Sequence, residues 1–243
     1  MPATPAWPPR ALPRLHVDQP LAVGAPVVLT AKPAHYLANV LRLGEGAELL
    51  LFDGRSGEWR AVIRTAAKKQ LILEVLAQTR PPEDLPPLTL AFAPIKRTPL
   101  EWLVEKATEL GVAVLQPVVT RRTVVERLNP ERLAGIAIEA AEQCGRTRLP
   151  SLEDPIRLTQ LLDRPSGTLL FADETGGVPL LTACKPGPTT ILIGPEGGFT
   201  PEERDAVLAA GATGIGLGPR ILRAETAALA AATLYMAGAG DWR

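Results

Sequence analysis

The chain has little cysteine and little histidine. Cys144 and Cys184 are too few for a disulfide framework, and their spacing does not suit zinc. His16 and His35 do not cluster with them, so no metal site is visible. An overall surplus of charge is also missing, because 26 Lys and Arg balance 26 Asp and Glu. Long apolar runs are absent too. The longest uncharged stretch, Thr226 to Gly240, falls short of the roughly 20 residues that a membrane span needs. The start of the sequence lacks the charged-then-apolar pattern of a secretory signal, so the expected compartment is the cytoplasm.

What remains is a chain of 243 residues with 46% hydrophobic content, enough for one large or two small domains with real cores. Its charge is unevenly spread. Residues 1–80 carry ten Lys and Arg against six Asp and Glu, whereas residues 81–243 carry sixteen against twenty. A basic first part facing a polyanion and a merely solvated basic face both satisfy that asymmetry.

Four prolines in the segment from Arg80 to Pro87 divide the chain, since they continue neither a helix nor a central strand. The expected domains are therefore 1–80 and 81–243. Before the division lie strand patterns at Ala47–Phe52 and Glu58–Arg64, joined by the turn signal Asp53-Gly54-Arg55-Ser56-Gly57. Together they suggest a small β-barrel, with Lys68-Lys69 at a hairpin tip. After the division, strands and helices alternate. Strands are expected at Leu88–Ala93, Val112–Val119, Thr168–Ala172, Thr189–Ile193 and Thr213–Leu217. Thr98-Pro99-Leu100-Glu101 reads as a capping box before a helix that Gly111 stops, and Asn129-Pro130 caps another. The alternation predicts an α/β fold with a mainly parallel sheet covered on both faces.

Two glycine-containing loops carry the chemistry. The first runs Gly194-Pro195-Glu196-Gly197-Gly198-Phe199, and the second runs Leu217-Gly218-Pro219-Arg220-Ile221-Leu222. Each follows a β-branched apolar strand and leads into a helix, the place where open α/β sheets bind ligands. The helix after the first loop opens with Thr200, Pro201, Glu202 and Glu203, a capping box that already occupies orphan N–H groups. With Glu196 upstream, this loop holds three carboxylates and no lysine, and it fails the phosphate-loop pattern. A neutral or cationic ligand fits it better than a nucleotide triphosphate. A tight turn without any ligand is the alternative for one such loop, and the second loop weakens that alternative. Gly197→Val is expected to fill space left open for the ligand.

These loops, with Leu217 to Ala227 reading Leu-Gly-Pro-Arg-Ile-Leu-Arg-Ala-Glu-Thr-Ala, resemble the RsmE family. That family comprises bacterial 16S rRNA (uracil(1498)-N(3))-methyltransferases of the SPOUT superfamily. Further matches are Glu105 to Gly111, Glu139 to Arg146, Pro13-Arg14, His35-Tyr36-Leu37, Val40 to Leu43 and Phe52-Asp53-Gly54, so the likeness spans nearly the whole chain in order.

The resemblance implies a SPOUT-type trefoil-knotted domain tied by the C-terminal segment, preceded by a PUA-like β-barrel. It implies S-adenosylmethionine as cofactor, 16S rRNA in the 30S subunit as partner, and a homodimer. Carried over by position, Gly194, Pro195, Glu196, Gly197, Gly198, Phe199, Leu217, Gly218, Ile221 and Leu222 form the cofactor cleft, with Ile221 and Leu222 sandwiching the adenine. Methyl transfer to uridine N3 needs alignment and proton removal, and a guanidinium that stabilises the charge developing on the ring. Arg14, Arg220 and Arg223 are candidates for that task.

Glu225 is either a proton acceptor or a first-turn carboxylate favoured by the helix dipole. Arg223 is either a base contact or an ion-pair partner of Glu225 or Glu196. Arg14, Arg42, Arg121 and Arg122 are the expected RNA contacts, with plain solvation the alternative for Arg121 and Arg122. Arg146 and Arg148 are expected to serve a helix C-terminus, and His35 a structural role. The small apolar residues of 226–240 predict a buried helix at the dimer interface, or else in the core of one subunit.

Overall fold

The computed structural model describes residues 12–67, 70–124, 127–164 and 167–242. These divide into two compact units. One runs through Glu83 and adds Gly145–Arg148; the other holds Asp84–Cys144 and the chain from Leu149 onward.

The first unit contains β1 (Arg14–His16), β2 (Pro26–Thr30), α1 (Ala31–His35), a π-helical turn over Tyr36–Val40, β3 (Glu48–Phe52), β4 (Glu58–Ala67) and β5 (Gln70–Arg80). The strands order as β1-β3-β4-β5-β2; β1 runs parallel to β3 and all other neighbours are antiparallel. Asp53 shapes the β3–β4 turn by accepting from the N–H groups of Arg55 and Ser56 at 2.8 and 2.7 Å. Gly54 and Gly57 in the same turn have φ of +73° and +96°, a region that favours glycine. Register shifts between β4 and β5 bend the strands, and the sheet curls barrel-like around Leu15, Val27, Leu49, Leu51, Ile63 and Leu73. The expected hairpin tip Lys68-Lys69 lies outside the described residues.

A buried charge cluster joins the ends of this unit. Glu58, 4% exposed, accepts from Arg14 Nε at 2.7 Å and from Arg80 Nη2 at 2.6 Å. Burial pushes the Glu58 carboxyl up, but the hydrogen bonds from Arg80 and Arg14 outweigh it and hold the group below its ordinary range. Arg14 also lies 4.7 Å over the Phe52 ring and donates from Nη2 to the Arg146 carbonyl at 2.7 Å. The Gly145–Arg148 segment is held the same way. Arg80 donates to Gly145 O at 2.8 Å, and Glu83 accepts from Arg146 Nε and the Arg148 N–H at 3.2 and 3.0 Å. The arginine side chain expected at a helix C-terminus, Arg146, is thus spent on the first unit, because the chain leaves its helix at Gly145.

The second unit contains β6 (Leu88–Phe92), α2 (Arg97–Glu109), β7 (Val114–Val119), α3 (Pro130–Cys144), β8 (Ser151–Leu152), β9 (Ile156–Arg157) and α4 (Leu158–Leu162). It continues with β10 (Thr168–Ala172), β11 (Val178–Pro179), α5 (Leu180–Ala183), β12 (Thr189–Ile193), α6 (Pro201–Ala209), β13 (Thr213–Gly216) and α7 (Ala224–Gly238). The main strand path is β11-β13-β10-β12-β6-β7-β8, with β9 beside β7, and every pairing is parallel.

Alternate residues of a strand point to opposite faces. Leu90, Phe92, Leu170, Ile191 and Ile193 enter one core with α2, α3 and α7, while Ala91, Leu169, Phe171 and Leu192 enter another with α4 and α6. Both faces are therefore buried, as a parallel sheet requires.

Helix starts differ in how closely they follow the sequence. Thr200 caps α6, its hydroxyl accepting from the Glu203 N–H while Glu203 accepts from the Thr200 N–H, and Pro201 takes the first helical position. Asn129 accepts from the Arg132 N–H before α3. The capping box expected at Thr98–Glu101 does not form. Instead α2 begins at Arg97, and Glu101 binds Arg97 and Arg132. Pro99 is tolerated there because first-turn N–H groups have no partner inside the helix.

The C-terminal helix α7 belongs to the core of its own unit. Ala228, Ala231, Ala232, Tyr235 and Met236 are fully buried within the single chain, against α2, α5, β6 and β12. The helix is not covered all round within the chain: Thr226 and Ala237 are exposed, and Ala230, Thr233 and Leu234 are half-buried.

Candidate functional site

Parallel strands end their connections on one edge of the sheet, and here three consecutive loops meet at that edge. They follow β10, β12 and β13 and line a cleft of about 820 Å³. The loop after β12 contributes Gly194, Pro195, Glu196, Gly198 and Phe199. The loop after β13 contributes Leu217, Gly218, Arg220, Ile221 and Leu222. Gly197 is not part of the lining. A Cβ there would meet the Arg122 side chain at 3.4 Å, an ordinary van der Waals contact, rather than the open space expected for a ligand.

Gly198 is the constrained glycine. Its φ is +67°, and a Cβ would sit 2.7 Å from Glu174 Oε1. Gly194 faces the Phe199 ring, which a Cβ would reach at 3.0 Å, and Phe199 in turn packs edge-on against Phe171. The apolar body of the cleft comes from Ile193, Ile215, Leu217 and Leu222, and its rim carries charge of both signs.

The third wall, Asp173 to Gly176 after β10, was not read from the sequence as a site. Asp173 has a side chain 3% exposed and accepts from Arg204 Nη2 at 2.8 Å and Nε at 3.1 Å, and from the Thr175 hydroxyl and N–H at 2.7 and 3.0 Å. Burial pushes its carboxyl up, yet the hydrogen bonds from Arg204 and Thr175 outweigh that and lower it. Arg204 lies on α6, so this pair ties the β10 loop to the helix that follows the first glycine loop. The available signal was a third strand, Thr168–Ala172, followed by Asp-Glu-Thr-Gly-Gly, the same grammar as the two loops already noticed.

The arginines separate. Arg220 lines the cleft with an exposed side chain. Arg223 is exposed at the N-cap of α7 and forms no ion pair with Glu225 or Glu196. Glu225 is half-buried in the first turn of α7, and neither Arg223 nor Glu225 lines the cleft. Arg122 lines it, donating from Nη1 to the carbonyls of Gly197 at 2.6 Å and Phe199 at 3.3 Å. Arg121 is exposed and reaches Glu202 at 3.3 Å.

In the first unit, Arg42 is exposed with φ of +56°. Arg14 is 6% exposed by side chain and engaged with Glu58, Phe52 and the Arg146 carbonyl. A guanidinium so buried is not presented to an RNA, and the expected base and RNA contacts of Arg14 give way to a structural role. Among the described residues, no helix is long and apolar enough to cross a membrane.

Residues 82–236 match a model of the RNA methyltransferase domain, and residues 29–76 match a model of the RNA methyltransferase PUA domain. The ribosomal RNA small subunit methyltransferase E of Rickettsia conorii is 34% identical over 225 residues, covering 90% of this chain and 92% of that protein. The Synechocystis protein of the same name is 36% identical, covering 88% of this chain and 74% of the relative. The crystal structure of that methyltransferase from Neisseria gonorrhoeae bound to S-adenosyl methionine is similar with a TM-score of 0.84. It is 29% identical, covering 93% of this chain and 97% of the other. From the glycine loops of the second unit to the PUA match in the first, the chain belongs to the ribosomal RNA small subunit methyltransferase E (RsmE) family.

Proposed function

We propose that this protein is an S-adenosylmethionine-dependent methyltransferase that modifies N3 of a uridine in 16S rRNA, the position numbered 1498 in the family's name. The observation that carries the reading is the cleft itself. Its apolar body suits an adenine ring, its carboxylates suit a sulfonium and an ammonium, and its first loop has no lysine for a triphosphate. Membership in the RsmE family supports the same reaction.

When bound, S-adenosylmethionine supplies a methyl group already activated on a positive sulfur. The chain's own residues then have to hold, align and manage charge. In this reading, backbone groups of Gly194, Pro195, Glu196, Leu217 and Gly218 meet a polar ring edge, with Ile221 and Leu222 as the apolar cover. Arg220, at the rim, is placed to stabilise negative charge that develops on the uracil once its N3 proton leaves. Glu225 serves the N-terminus of α7, where a carboxylate meets the helix dipole favourably. Arg42 and Arg121, both exposed, are RNA contacts in this reading. The C-terminal segment closes the trefoil knot, the protein works in the cytoplasm as a homodimer, and the substrate is the 30S subunit.

Calorimetry with S-adenosylmethionine and with ATP tests the cofactor: saturable heat is expected with the first alone. Mass mapping of 16S rRNA from cells lacking and regaining the protein tests the target. A single uridine that loses and regains one N3 methyl group is expected. An unchanged 16S rRNA would leave the family assignment without this activity. A non-catalytic RNA-binding role is disfavoured because both loops are intact.

A further inference from the structure

We propose that Arg122 is a positioning residue of the first glycine loop, acting on cofactor binding rather than on RNA. The inference rests on the reading of that loop as the S-adenosylmethionine site. Three observations carry it. First, Arg122 Nη1 takes the carbonyls of both Gly197 and Phe199, at 2.6 and 3.3 Å. Second, the methylene stem of Arg122 lies across Gly197, so that a Cβ at 197 would touch its Cδ at 3.4 Å and its Cβ at 3.5 Å. The stem of Arg122 thus covers Gly197 at ordinary van der Waals distance. Third, the neighbouring backbone locks the same turn to the same loop. The Arg121 N–H donates to Glu203 Oε1 at 2.7 Å, and Glu203 Oε2 accepts from the Thr200 N–H at 3.0 Å.

The consequence is geometric. A peptide plane is fixed when both its carbonyl and its N–H are held. The Gly197–Gly198 peptide has its carbonyl on Arg122 and its N–H on the Pro195 carbonyl at 2.9 Å. The Phe199–Thr200 peptide has its carbonyl on Arg122 and its N–H on Glu203. These two planes bracket Gly198, the residue whose left-handed backbone shapes the cleft wall. Arg122 therefore sets the orientation of the groups between them before any ligand arrives. Both bonds leave one nitrogen, Nη1, at the end of the side chain whose stem lies on Gly197.

The test uses the full-length protein with Arg122→Ala. The KM for S-adenosylmethionine is expected to rise about tenfold in Arg122→Ala, the effect of losing one charge-assisted hydrogen bond. The KM for 30S subunits should move less than twofold. Adding Gly197→Val to Arg122→Ala should produce little further loss, because the Arg122 stem that a side chain at 197 would meet is then gone. Without any ligand, amide exchange at Gly198 and Thr200 should quicken in Arg122→Ala. A raised KM for 30S subunits with an unchanged one for S-adenosylmethionine would make Arg122 an RNA contact and overturn the proposal. Unchanged exchange at both amides would overturn it as well. If wild-type protein takes up no S-adenosylmethionine while the exchange still quickens, the cofactor reading fails and the positioning role stands.

Discussion

The two glycine loops stand side by side in one cleft, yet they are held in opposite ways. The loop after β12 is fastened along its length by Arg122, by the Thr200–Glu203 capping box and by the Phe199 ring packed on Phe171. The loop after β13 is held by packing instead, with Leu217 and Leu222 against the core. Ile221 is 82% exposed, Arg220 is exposed, and Gly218 has φ of +110° with nothing within 4 Å of where a Cβ would be. What secures the second loop is apolar packing at both its ends, by Leu217 after β13 and by Leu222 before the chain enters α7. One wall of the cleft is therefore hydrogen-bonded in place without a ligand, and the other, with Ile221 in solvent, is expected to order when the ligand binds.

The largest effect should come from attacking the core against which that loop packs. Leu229 is buried in the core around α7, so Leu229→Glu places an unpaired charge there, a cost of several kcal/mol and roughly the whole stability of a domain. Loss of the folded state in a thermal melt is expected. A folded monomer with a normal melting temperature would show instead that α7 serves an interface. Next is the hydrogen-bonded wall. Gly198→Val forces a β-branched residue into a left-handed φ of +67° and displaces the Glu174 carboxylate, and a loss of cofactor affinity of about a hundredfold is expected by calorimetry. Equal affinity in a folded variant would contradict the wall's placement.

The Asp173–Arg204 pair links that wall to the β10 loop, and its effect should depend on pH. Asp173 has a folded pKa depressed below its unfolded value, so its stabilisation is fully present above the unfolded value of about 3.9. That stabilisation is lost as pH falls through the folded value. Asp173→Asn should cost about 1.5–3 kcal/mol at neutral pH, the worth of hydrogen bonds to a charged group, and much less in acid. Melting temperatures across pH 2 to 7 would show the two curves converging, whereas parallel curves would contradict the linkage. The smallest effect belongs to the exposed middle of the second loop. Ile221→Ala removes an exposed side chain, so stability should stay within about 0.5 kcal/mol, while cofactor affinity falls several-fold. A larger stability change would mean that Ile221 is already packed.

This contrast also explains what the sequence disclosed. Strands Thr168–Ala172 and Thr189–Ile193 were legible to the residue, because buried parallel strands are unbroken apolar runs between turn signals. The Thr200 cap was legible because its grammar spans only four residues. Asp173 was not, since its partner Arg204 is distant in sequence and meaningful only once β10 and β12 pair. The Gly145–Arg148 excursion was hidden for the same reason, its hydrogen bonds returning to Arg14, Arg80 and Glu83. Residues 226–240 showed their apolarity but not their neighbours. Composition cannot distinguish a core from an interface.

Amide hydrogen exchange with and without S-adenosylmethionine reads both walls of the cleft at once. Gly198 and Thr200, whose N–H groups are bonded without ligand, should exchange slowly in both states and change little. Residues 217–222 should exchange quickly in the free protein and become strongly protected when the cofactor binds. Saturable binding that protects neither loop, or protection confined to the first, would contradict a cleft with one hydrogen-bonded wall and one that orders on binding.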